Sequence, residues 1–552
     1  MIASLLVAST LAMSHIADSP SISVISNLKR CFPNSQFSPS SQISLDAARG
    51  ERISCQIVVR TGSEPQTVKV SPSQLDGGSV RVRRVGYVTQ HHLNTGTPVT
   101  ELDGIGHAPG LVPDPLFDDS EVVSGPFESH AFWLTIQPNR DAKPASVEIP
   151  ITVKVGESES KVRVHLNIHK AVLPERHDFP VTHWFYCDAL SDYYHLNPFE
   201  EKFWPILEKY MEDLVQHGNN IMHTPLFTPP TDGVKKPNQL LKVTRQGHHY
   251  KFDWTDVRRF IALTKKCGFT GYEWSHFFSQ WGCQHAIRIY EGDPSTEKLL
   301  WPADTEATSP IYREFLSQLI PELEKFLNQE GIRSVSYFHI SDEPHGEEAL
   351  ANYRKARAMM RELAPWMKFM DALSQISFAN EGLIDMPIPS IETAVDFQKA
   401  GYPAWCYFCC GPRGEFLNRL MDTPLPKIKM SGWLFYRLKS KGFLHWGYNY
   451  WYQSQTRTMI DPFTEQSGMA WPGWAYGDTF MVYPGPAGPI DSLRWEVFAE
   501  SLQDLALLQA SGINPDDPSL GDIVNYHQFP KTEEWVTQQH LAVLKALDDR
   551  TQ

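Results

Sequence analysis

Asp342 and Glu343 stand side by side where a strand-like run ends. The run Ser334-Val-Ser-Tyr-Phe-His-Ile-Ser alternates apolar and polar residues, and Pro344 stops it. A helical pattern follows over 346–363. Two adjacent acids at the C-terminal end of a buried strand are costly to hold unless chemistry uses them, and paired carboxylates suit general acid–base work. The plain alternative is an Asp that caps the helix and a Glu in a surface ion pair. Parity puts Phe338 and Ile340 on an outer face and Tyr337, His339, Ser341 and Glu343 on an inner, polar one. Asp342 nominally belongs to the outer set, but at the break the backbone can swing it back toward the same pocket.

Other strand ends carry matching chemistry. They place Asp188, then Trp274 and His276, then Asp371, Tyr407, and Asn449 with Tyr450 and Trp451. The loop 471–486 adds Trp474, Asp478 and Tyr483. Carboxylates, hydrogen-bonding groups and flat aromatics suit a neutral polyhydroxylated ring, with apolar faces and polar edges. Each residue alone has an ordinary reading: Trp274 as core, Asp371 as a cap, Asp478 in a turn. Trp451 and Trp474 are the expected stacking walls.

Competing chemistries lack their signatures. The chain has no Walker loop, HExxH, GxSxG or Rossmann glycine pattern. His91-His92 and His248-His249 sit in polar loops. Cys406-x-x-Cys409-Cys410 has no second ligand pair and reads as small core residues in a buried strand. No metal and no organic cofactor is expected. Cys31 and Cys55 are available to pair in an oxidising compartment.

The elements that position these residues fall into two blocks. Residues 20–172 hold short alternating runs without helices, such as Ser146-Val-Glu-Ile-Pro-Ile-Thr-Val-Lys-Val, and predict a β-sandwich. A linker covers 173–180. From 181 to 552 strands at 181–187, 219–227, 270–278, 334–341, 368–373, 388–392, 403–410 and 443–451 alternate with amphipathic helices. That pattern predicts an α/β architecture, a C-terminal (β/α)8 barrel. With 552 residues, 41% hydrophobic and 21% charged, the chain has ample core for both. Its net charge of −14 argues against nucleic acid or an anionic membrane as partner. Sixteen Trp exceed ordinary core needs. The apolar run in residues 1–14, ending Ala12-Met13-Ser14, predicts a cleaved signal peptide and export to the periplasm or exterior. No other stretch approaches the ~18 apolar residues of a membrane span.

With these motifs in view, the whole chain resembles glycoside hydrolase family 123, the β-N-acetylgalactosaminidases. The marks are His339-Ile-Ser-Asp-Glu-Pro344, Gly477-Asp478 leading to Val482-Tyr-Pro-Gly-Pro486, and Ser492-Leu-Arg-Trp-Glu496. The resemblance implies a retaining, exo-acting hydrolase of a glycan or glycoconjugate that uses the substrate's own acetamido group. It maps the family's Asp-Glu pair onto Asp342 and Glu343. Asp342 would orient the acetamido group, and Glu343 would be general acid and then base. Two alternatives stay open. One is a glycosidase for a sugar lacking the acetamido group, with Asp371 or Glu273 as nucleophile. The other is a non-catalytic carbohydrate-binding protein.

Overall fold

The computed structural model describes residues 19–231, 233, 235–465 and 473–550, so the expected signal peptide at 1–14 lies outside the described residues. Residues 21–172 form two five-stranded sheets. One runs Ser21–Ser26, Ile53–Arg60, Ser129–Pro138, Gly78–Gln90, Gly110–Phe117 in spatial order. The other runs Gln42–Arg49, Ser158–Val172, Ala145–Val155, Gln66–Pro72, Glu121–Ser124. Period-2 patterning explains the packing. In Ala145–Val155, Ile149, Ile151, Val153 and Val155 are buried while Glu148, Pro150 and Lys154 are exposed. The inward set meets Ile57, Val59, Phe132 and Leu134 of the facing sheet in one apolar cluster.

The first sheet is covered on both sides. Residues 54–59 are buried without a break, and Val58, Val85, Ala131 and Trp133 belong to the larger core that reaches Trp495 and Phe498. Cys31 lies in that larger core and Cys55 in the cluster between the sheets; both are buried free thiols.

From residue 181 the topology changes to parallel strands. Six of them, in the order Ser336–Tyr337, Gly271–Trp274, Ile221–Thr224, Val181–His183, Phe443–His445, Cys406–Tyr407, form a sheet curled like half a barrel. Met370–Ala372 pairs in parallel with Met386–Ile388. Single parallel bridges, Phe338 with Phe369 and Ser390 with Tyr407, connect that pair to the two edges of the larger sheet. Seven of the eight expected runs contain one of these strands, and the sixth overlaps its run by one residue. The strands are shorter than expected because the chain leaves the sheet early to build long loops. Helices Phe203–Gln216, Thr255–Cys267, Pro310–Glu330 and Gly346–Leu363 intervene.

Leu493–Ser511 is the buried axis of the C-terminal half. Ser492 Oγ caps its start by accepting the Trp495 N–H at 3.1 Å, and Gly512 ends it at φ 79°. Its buried charges are paired, and they tie the sheets of 21–172 to the rest of the chain. Arg494 grips Asp114 through Nε and Nη2 at 3.0 and 2.9 Å. Tyr483 donates to the same carboxylate at 2.7 Å. Arg83 reaches Glu496 at 2.7 Å and Asp491 at 2.5 Å. Gln503 clasps the backbone N–H and C=O of Arg52.

Asp114→Ala should therefore leave Arg494 as a buried cation without its counter-charge. Breaking a buried pair costs about 3–5 kcal/mol, so the thermal midpoint should fall by several degrees. An unchanged midpoint would show that the carbonyls Arg494 also contacts suffice.

Candidate active site

The Asp-Glu turn is built by pairing that continues past the regular strands. The backbone of 277–281 runs alongside 339–342, with Phe277 N donating to His339 O at 3.1 Å, Phe278 N to Ile340 O at 3.0 Å and Trp281 N to Asp342 O at 2.8 Å. On the other side Met370 N donates to Phe338 O at 2.8 Å, and Glu343 N to Ala372 O at 2.9 Å. Glu343 sits in the left-handed region, at φ 43°. That twist breaks the strict alternation of the strand. It lets neighbouring carboxylates line the same cavity, at a backbone cost on the order of 1 kcal/mol. Gln280 Nε2 donates to Asp342 Oδ2 at 2.8 Å, and the Tyr407 hydroxyl donates to Glu343 Oε1 at 2.6 Å. Asp342 is buried and Glu343 half-buried.

Beneath the turn lies a buried charge cluster. His339 Nε2 contacts Glu273 Oε1 at 2.8 Å and its Nδ1 contacts Asp371 Oδ1 at 3.1 Å. Burial works against the imidazolium, but these two carboxylates outweigh it and lift His339 to about 9. Both ring nitrogens therefore donate. Thr182 and Trp184 (Nε1, 2.7 Å) also donate to Glu273, and Tyr353 donates to Asp371. The net effect on Glu273 is a lowered pKa, in which His339 overcomes the burial penalty.

The cavity above has a volume of about 580 Å³. Trp184, Trp446 and Trp474 line it together with the two acids, and Tyr407, Cys409 and Cys410 form a further wall. A single carboxylate oxygen, Asp478 Oδ2, accepts the indole N–H groups of Trp446 (3.0 Å) and Trp474 (3.2 Å). Burial pushes Asp478 up to about 7, against the two indoles and the charges of Arg419 and Arg413.

Of the residues expected from the sequence, Asp342, Glu343, Tyr407 and Trp474 meet on this cavity. Asp478 stands behind it, holding Trp474. The others lie elsewhere. Trp451 is not a stacking wall: it is fully buried, donates to Val482 O at 3.0 Å and packs on Tyr193 and Tyr210. Trp274 is fully buried in the core and stacks near Phe338. His276 is buried, stacked 4.3 Å from His339, its pKa held low by burial and by that charge. Asp371 belongs to the charge cluster. Asn449 exchanges two hydrogen bonds with the Tyr186 backbone, at 2.9 and 3.1 Å. Asp188 is buried beside Asn238 and pushed up to about 6 by desolvation. Cys406 is core, as its strand suggests, but Cys409 and Cys410 line the cavity. Trp184, Gln280, Trp281 and Trp446 carried no sequence signal beyond their residue type.

Among the described residues three groups bring histidine and carboxylate atoms within 4.8 Å of one another: His276/His339/Asp371, Asp213/His217/Asp491 and Glu51/Asp504/His540, the last with His540 half-buried. In each, an imidazole raised by carboxylates to about 9 or 10 (His339, His217, His540) already supplies the positive charge.

The family description "Glycoside hydrolase 123, catalytic domain" matches residues 184–511. No curated protein matches the chain. Among solved structures, a family 123 glycoside hydrolase from Clostridium perfringens, studied for glycolipid glycan hydrolysis, is 14% identical. The match covers 96% of this chain and 98% of that one, with a TM-score of 0.72. A family 2 β-galacturonidase from Eisenbergiella tayi is 13% identical over 82% of this chain and 70% of that one, with a TM-score of 0.31.

Asp478 generates a pH prediction. Its folded pKa lies above its unfolded value, so its contribution to stability is full below the ordinary carboxylate range and is lost as pH rises through about 7. A shift of this size corresponds to something on the order of 4 kcal/mol. Asn at 478 keeps a carbonyl acceptor for the indoles and cannot ionise. The melting temperature of Asp478→Asn relative to wild type should rise between pH 5 and pH 8; a constant difference would mean that Asp478 does not titrate in this window.

Proposed function

The chain belongs to glycoside hydrolase family 123, and from that premise we propose that it is a retaining, exo-acting β-N-acetylhexosaminidase, GalNAc-like in preference, working by substrate assistance. The observation that carries this reading is the placement of Asp342 and Glu343 on one indole-walled cavity. In the reaction, the acetamido oxygen of the terminal sugar attacks C1 while Glu343 protonates the departing glycosidic oxygen. Asp342, steadied by Gln280, accepts the acetamido N–H and stabilises the positive charge of the cyclised intermediate. Glu343 then takes a proton from the water that opens the ring at C1, returning the β-anomer. Tyr407 orients the Glu343 carboxylate through its 2.6 Å bond.

A protein nucleophile is disfavoured by where the other acids sit. Glu273 and Asp371 are both committed to His339 and both lie off the cavity. We further read the eight parallel strands as one closed (β/α)8 barrel within 181–552, preceded by a sandwich domain over 20–172. Support comes from the two bridges that join the strand pair to both edges of the six-stranded sheet. Export with removal of residues 1–14 is also part of the proposal, and N-terminal sequencing of the native protein would test it. Among the described residues no helix is long and apolar enough to cross a membrane.

Glu343→Gln should lower activity on a poor leaving group by roughly 10²–10⁴-fold, and less on an activated aryl glycoside. Asp342→Asn should be penalised whatever the leaving group, because charge stabilisation is lost at every departure. Thiazoline mimics of the cyclised intermediate should inhibit the wild type. Hydrolysis of simple galactosides or glucosides with no response to a thiazoline would overturn the mechanism.

A further inference from the structure

Trp281 is exposed, at 50%, and among the described residues it is the one exposed tryptophan. Its backbone is strained. Trp281, Gly282 and Cys283 have φ of 62°, 152° and 54°, a run that a bulky aromatic residue rarely enters without a compensating role. The position is nonetheless firmly held. Trp281 N donates to Asp342 O at 2.8 Å, the neighbouring Gln280 donates to the Asp342 carboxylate, and Ser341 Oγ donates to Ser279 O at 2.7 Å. The loop therefore carries an exposed indole at a fixed place beside the acid pair.

A second cavity of about 260 Å³ adjoins the first. Gln280, Trp281 and Gln455 line both, so these three side chains form the ridge between them. The far side of the second cavity is polar and aromatic, with His285, Arg288 and Tyr290. A sugar unit beyond the scissile bond must leave the first cavity across one of its walls, and this ridge is the wall that opens onto a further concave, hydrogen-bonding space.

We infer that Trp281 is the stacking platform for the saccharide ring on the leaving-group side of the cleaved bond, and that the second cavity binds the aglycone glycan. The ligand is a neutral or substituted pyranose, its apolar face on the indole and its hydroxyls toward Gln280 and Gln455. This inference rests on the hexosaminidase reading for the identity of the terminal sugar. It adds a preference for oligosaccharides over simple glycosides.

The test is calorimetric binding to the Glu343→Gln protein, which retains substrate. The probes are a trisaccharide ending in β-linked N-acetylgalactosamine and the methyl β-glycoside of that sugar. The trisaccharide should bind at least about tenfold more tightly, the gain expected from covering roughly 60 Å² of apolar indole surface. Adding Trp281→Ala should remove that gain, so that the two probes bind within about twofold of each other. Trp281→Phe should restore part of it. A trisaccharide advantage that survives Trp281→Ala would overturn the platform. Equal binding of both probes would overturn the second subsite and leave the hexosaminidase reading standing. Binding of neither probe would overturn the hexosaminidase reading and this inference with it.

Discussion

Glu273 and Asp371 are carboxylates that water does not reach, and the His339 imidazolium lies between them. Removing charge from water is expensive, and only close opposite charge with full hydrogen bonding offsets it. Here the compensation is dense: two contacts from His339, then Thr182, Trp184 and Tyr353 as further donors. His339 follows the strand Ser336–Tyr337, Thr182 and Trp184 come from the strand Val181–His183 and the residue after it, and Tyr353 comes from the helix Gly346–Leu363. The cluster therefore fixes the mutual position of the strands carrying 182, 273, 339 and 371. Ile340 N also donates to Asp371 at 3.3 Å, two residues before Asp342. The Asp342-Glu343 turn inherits its place from this cluster, and so does the Trp184 wall.

The walls follow the same rule at a second carboxylate. Asp478 is buried, and one of its oxygens holds the indoles of Trp446 and Trp474. Dense packing on both faces would close these rings off from the cavity they line. A hydrogen bond at the indole edge holds the ring while leaving the face free. The sheets of 21–172 contribute from behind. Asp114 anchors both Tyr483 and Arg494, and Arg494 in turn donates to Gly477 O at 2.6 Å, next to Asp478. The N-terminal sheets thus brace the loop that holds the walls.

The acid pair was legible in the sequence because local signals agree there: a period-2 run, Pro344, and then a helix whose span 346–363 the structure reproduces. The strands were legible in place but not in length, since alternation continues into segments such as 277–281 that pair irregularly. Trp451 shows the limit of reading strand ends. Its polar neighbours suggest a rim, yet its indole is turned into the core by the Val482 carbonyl, which sequence spacing does not reveal. Gln280 and Trp281 were invisible for the complementary reason. Their roles come from a left-handed loop whose shape is set by contacts to Asp342, 62 residues after Gln280. Asp371 carried the right chemistry, but tertiary pairing with His339 committed it to structure.

In the proposed reaction the substrate's own acetamido oxygen is the nucleophile that Asp342 orients and Glu343 assists. Its most direct test is the rate of hydrolysis of one aryl β-N-acetylhexosaminide whose acetyl group carries none, one, two or three fluorines. Fluorine draws electron density from the carbonyl oxygen and weakens it as a nucleophile, while leaving the leaving group and the ring unchanged. With the acetamido oxygen as nucleophile, kcat/KM should fall with every fluorine added. A rate indifferent to fluorination would contradict it, because the attacking atom would then belong to the protein or to water.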